Sequence, residues 1–109
     1  MPTTAHASHW LAGVALGLVL GGTALSATAS MRLEIEPWAA HCVGNPGGDA
    51  CLQFWPLSHR LKQQAERTNQ LSCYTSLLAL EAVVTLAKLG DADATRLNVT
   101  LQDVEATCP

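Results

Sequence analysis

The sequence predicts an all-α protein: an amino-terminal apolar signal or anchor helix, then a small disulfide-stapled domain of three to four helices. Three observations carry that expectation. The first charged side chain is Arg32, and the charge-free stretch before it holds an unbroken apolar run at residues 10–20. All four cysteines (Cys42, Cys51, Cys73 and Cys108) come after it. That is the layout of a chain routed to or across a membrane, with its polar part delivered to an oxidising compartment. The third observation is a long helical pattern over residues 56–89, bounded by Pro56 and Gly90.

The chain has 109 residues, so residues 1–29 as a signal peptide or single anchor leave one domain at 30–109. A domain of that size buries only about 60–65% of its unfolded surface, so disulfides or a partner must supplement its core. The net charge of −3 is mild, and there is no basic stripe or Lys/Arg run. Nucleic acid is therefore not an expected partner.

Two readings of the leader compete. As a signal peptide, residues 10–20 form its apolar core, Gly21-Gly22 breaks the helix, and Ala27 and Ala29 fit the small-residue cleavage pattern. As an anchor, residues 10–29 span roughly 30 Å at 1.5 Å per residue, the thickness of the bilayer core. Gly13, Gly17 and Gly21 then share one face, the G-x-x-x-G arrangement that lets two membrane helices approach closely. Arg32 alone would place the domain on the cytoplasmic side. Four cysteines outweigh it, and the expected location is periplasmic or extracellular.

Residues 31–40 alternate Leu33 and Ile35 with Arg32, Glu34 and Glu36 ahead of Pro37, which reads as an extended segment. Between Cys42 and Cys51 the turn-forming Asn45-Pro46-Gly47-Gly48 favours a local Cys42–Cys51 disulfide, leaving Cys73 for Cys108. The rival pairing joins Cys42 or Cys51 to Cys73. His41, Cys42, Cys51 and His59 also form a set of zinc-ligand types, but without the tight paired spacing of structural zinc sites.

Pro56 suits the first turn of the long helix, and Gly90 its end. Leu57, Leu61, Ala65, Thr68 and Leu71 form its expected apolar stripe, with a break at residues 73–76 as the alternative to one continuous helix. From Leu77 to Leu89 only Glu81, Thr85 and Lys88 are not apolar, and they share a narrow face expected to meet solvent. So apolar a helix needs cover on most of its circumference. Asp91 is expected to cap a short helix, and Thr100 to start a further turn or two.

No nucleophile–base–orienter set emerges, because Ser58 and His59 are adjacent on a helix and do not face each other. Asn98-Val99-Thr100 matches the glycosylation triplet. Phe54 and Trp55, with Leu77, Leu80 and Val84, are the candidate partner-binding residues. The expected function is a non-enzymatic, cofactor-free helical protein, exported or membrane-tethered, that works through a protein partner. An accessory subunit of an envelope complex or a small binding or inhibitor module fits that description. The alternative is a small metal-binding or enzymatic factor built on His41, Cys42, Cys51 and His59.

Overall fold

The structure is a computed structural model and describes residues 30–109, which form four helices: α1 (Met31–Gly44), α2 (Asp49–Arg67), α3 (Leu71–Lys88) and α4 (Ala94–Thr107). The leader's cleavage region and Gly13, Gly17 and Gly21 lie outside the described residues. Short turns join the helices into an up-and-down bundle. α1 packs on α2, α2 on α3, α3 on α4 and α4 on α1, while α1 also meets α3 across the middle.

The first segment is a helix rather than an extended strand. Ser30 caps it, its Oγ accepting the Leu33 N–H at 3.2 Å. The buried residues Met31, Ile35, Ala39 and Cys42 recur at helical spacing, whereas Leu33, half of the apparent alternation, is 68% exposed. Pro37 sits inside the helix and removes the N–H owed to the Leu33 carbonyl. That carbonyl belongs to the exposed face, where water can serve it.

α2 likewise begins seven residues before Pro56, at Asp49, so Pro56 is interior and not at the first helical position. The Asn45–Gly48 turn makes this early start possible, with the Gly48 N–H donating to the Asn45 carbonyl at 2.9 Å. A Cβ on Gly48 would lie 2.8 Å from Asn45 Nδ2, so a larger residue there would require the Asn45 side chain to move.

The long helical pattern divides at Asn69, earlier than residues 73–76. Asn69 is left-handed at φ 58°, its N–H donates to the Glu66 carbonyl, and the Gln70 N–H donates to the Ala65 carbonyl at 2.8 Å. This pair of bonds is a Schellman ending, with Asn in the position glycine usually takes. Gly90 ends α3 in the same way at φ 97°, as expected, with Asp91 N–H reaching the Leu86 carbonyl at 2.9 Å. After it, one helix replaces the expected two short ones. Asp93 rather than Asp91 is the cap, accepting the Arg96 N–H at 3.0 Å. Thr100 lies mid-helix and turns its hydroxyl back to the Arg96 carbonyl.

The core holds Ile35, Phe54, Leu61, Leu77, Leu80, Val84 and Val104, all essentially without exposed surface. Two disulfides brace it in the locally favoured pairing. Cys42–Cys51 clips the end of α1 to the start of α2, and Cys73–Cys108 ties the residue after α4 to the first turn of α3, each at a Cα separation of 4.7 Å. Met31 packs its sulfur 3.6 Å from Cys73, and its N–H donates to the Pro109 carbonyl at 2.9 Å. The start and end of the domain therefore adjoin.

Candidate functional site

Core formation consumes most of the residues expected to face a partner. Phe54, Leu77, Leu80 and Val84 are fully buried within the domain. Trp55 is half-buried, its ring edge-on to Phe54 with centroids 5.1 Å apart. The bundle thus covers one face of α3, while Leu71, Leu78 and, just past its end, Leu89 stay 64%, 42% and 77% exposed. By length and composition α3 could cross a membrane; here its buried face supplies the core.

Concave surface features lie on the outer sides of α1 and α2. Pairing of these antiparallel helices brings Trp38 beside Pro56 and Leu57, forming an open groove of about 400 Å³ that Glu34, Gln53 and Arg60 complete. The Arg60 guanidinium donates to the Glu34 carboxylate and closes one end. Trp38 lines this groove and is 40% exposed. An indole N–H with an apolar body is a typical recognition anchor. The extended segment expected from the sequence gives Trp38 no definite face, whereas the helix places it on the exposed side of α1. A second dent, about 310 Å³, lies on α1 alone between Leu33, Glu36, Pro37 and Ala40.

Charge at this face is tied down in a chain. Arg32 donates to Glu36 at 2.8 Å and also to Glu105 of α4. The hydrogen bond to Glu36, followed by that to Glu105, raises the Arg32 pKa above its ordinary value. Arg32 is a permanent cation, so these contacts position the two carboxylates and leave protonation unaffected.

A second polar cluster lies between α2 and α3. Glu81 does not face solvent with Thr85 and Lys88. Its carboxylate accepts from Ser58 Oγ at 2.8 Å and from Lys62 Nζ at 2.9 Å. The Lys62 ammonium also stands 5.8 Å from the centre of the Tyr74 ring. Ser58 is fully buried, and the Lys62 and Glu81 side chains are 10% and 13% exposed. A serine hydroxyl committed to a carboxylate in a packed interface has no room for a substrate, so the cluster fixes the α2–α3 register.

The metal-ligand set is not assembled, since Cys42 and Cys51 are bonded to each other and offer no thiolate. His41 and His59 are exposed on separate helices. No cluster of three or more His, Cys, Asp or Glu suited to a metal occurs among the described residues. Asn98 is exposed in the middle of α4, but Thr100 of the same triplet is buried. Comparisons with family models, with curated proteins and with solved structures find no match to the chain.

Proposed function

We propose that this protein is an exported or membrane-tethered binding module without enzymatic activity, working on the periplasmic or extracellular side through a protein partner. The observation that carries this reading is the Trp38 groove, in which an exposed aromatic anchor stands beside an apolar floor on two rigid helices. Such anchors dominate the binding energy of protein interfaces, and preorganised helices hold them at little entropic cost. Both cysteine pairs are joined, which fits an oxidising compartment outside the cytoplasm.

The test is photo-crosslinking in cells that make the full chain. A photoreactive residue replacing Gln53, on the groove wall, should yield one discrete protein adduct. The same residue replacing Asn98 on α4 should not, and Trp38→Ala should abolish the Gln53 adduct while the domain stays folded. Equal labelling at Gln53 and Asn98, or an adduct indifferent to Trp38→Ala, would remove the groove from the function.

A further inference from the structure

On the side it does not bury, α3 carries a second stripe. Leu71, Thr75, Leu78, Ala82, Thr85 and Leu89 are all exposed and follow one another in steps of four, three, four, three and four residues. That is the seam spacing of paired helices, kept from the first residue of α3 to its cap. None of the six is charged, and the two threonines make no polar demand. The Thr75 hydroxyl donates to the Leu71 carbonyl at 3.0 Å and that of Thr85 to the Glu81 carbonyl at 2.8 Å, so covering them strands no donor.

We infer that this seam receives α3 of a second copy, running antiparallel. The stripe reads the same from either end. About a twofold axis level with Leu80, Leu71 meets Leu89, Thr75 meets Thr85 and Leu78 meets Ala82 of the second copy. Every contact occurs twice and the surface complements itself, which is the condition for a closed dimer. Size selects the orientation. A parallel pair would set Leu78 on Leu78 and Ala82 on Ala82, one layer crowded and the next hollow, whereas the antiparallel pair seats each Leu78 over a small Ala82.

Charge selects the same arrangement. The bonds from Ser58 and Lys62 to Glu81 place α2 along one edge of the seam. Glu66 lies one helical turn beyond Lys62, and Lys88 two turns beyond Glu81, so both stand on that edge. Both are exposed, and neither has an ion-pair partner among the described residues. The Ser58–Glu81 contact sets Glu66 level with Cys73 of its own α3. The twofold axis sets Cys73 level with Ala87 of the second copy, beside Lys88. Two Glu66–Lys88 contacts therefore bracket the seam, while a parallel pair would level each charge with its like and join neither to its opposite. A seam one helix wide falls at the low end of interface sizes, below about 1,200 Å² in total, so the dimer should exchange with monomer. The Trp38 groove lies on the α1 side of α2, away from this edge, and stays open.

Neither that groove nor residues 1–29 take part in the seam. The full chain in mild detergent is followed by sedimentation velocity over a concentration series, and in cells by photo-crosslinking from residue 78. Wild type should show a concentration-dependent dimer and a homodimer adduct whose linked peptide contains Ala82. Ala82→Glu, at an exposed position opposite the second copy's Leu78, should lower association at least tenfold with unchanged helical circular dichroism. Glu66→Lys and Lys88→Glu should each weaken the dimer about fivefold, and the two together should restore it. This charge set decides the pairing by itself if Ala82→Glu loses helix content. A chain that is monomeric throughout, a dimer indifferent to these changes, a double variant as weak as the singles, or a residue 78 adduct to another helix or another protein would each overturn the proposal. The Gln53 adduct reports on the groove alone, so the two readings fail separately.

Discussion

Lys62 Nζ lies 2.9 Å from Glu81 Oε1, a charged contact between α2 and α3 that is nearly closed to solvent, and Ser58 saturates the other carboxylate oxygen. Such a pair contributes little net stability compared with apolar residues of equal size, because both ions are taken out of water. Losing one member is another matter, since the survivor is left buried and unpaired.

Glu81→Ala should therefore destabilise the domain by ~3 kcal/mol, as should Lys62→Ala through its orphaned carboxylate. The double change Lys62→Met with Glu81→Leu should recover most of that loss, to within about 1 kcal/mol of the parent. Urea unfolding of the four proteins measures these differences. Single changes below about 0.5 kcal/mol would show that water reaches the pair and screens it.

Asn69 holds φ at 58°, so its tolerance of other residues follows backbone cost. Asn69→Gly should be neutral or stabilising by several tenths of a kcal/mol, while Asn69→Val should cost ~1–2 kcal/mol. Thermal unfolding followed by circular dichroism separates the two, and equal midpoints for Gly and Val would contradict the strained turn.

The same residue marks how far the sequence could be read. Helix content, the end at Gly90 and both disulfide partners follow from local chemistry and were legible. The α2–α3 turn was not, because Asn mimics the glycine of a helix ending without its sequence signal, and the apolar spacing runs past it almost uninterrupted. Misplacing the turn hid the Glu81 cluster. Ser58 and Glu81 stand at equal distances either side of the Asn69–Gln70 step, so a correct turn pairs them at once. Without it, Glu81 shows only its neighbours Thr85 and Lys88, both of which are indeed exposed. The Trp38 groove was hidden for a different reason: each of the two helices that form it carries an interior proline, and local rules read Pro37 as closing an extended segment and Pro56 as opening a helix.

The two disulfides close loops of different length, with sequence separations of 9 and 35. On loop entropy alone, replacing Cys42 and Cys51 by serine should cost ~3 kcal/mol, and replacing Cys73 and Cys108 ~4 kcal/mol. The second loss should also free the carboxyl-terminal end from Met31, so amides of α4 should exchange faster than those of α2. Hydrogen exchange by mass spectrometry on each double serine variant reads both effects. Uniform acceleration across all four helices would mean that the bundle unfolds as one unit and that the staple has no local role.

Pro56 interrupts α2 seven residues from its start, on the groove wall opposite Trp38. Proline in a helix interior is worse than alanine by ~3 kcal/mol, and here it deprives the exposed Leu52 carbonyl of its N–H. Pro56→Ala restores that bond. An interior proline is accommodated by a local bend, and an exposed carbonyl can be served by water, so the gain should reach only ~1–2 kcal/mol. Relief of a bend at Pro56 would also move the groove wall that faces Trp38. The variant should therefore melt higher than the parent and give a weaker Gln53 photo-adduct. Greater stability with an unchanged adduct would mean that the proline shapes nothing in the groove, and a lower melting temperature would mean that the bend is required for α2 to pack against α1.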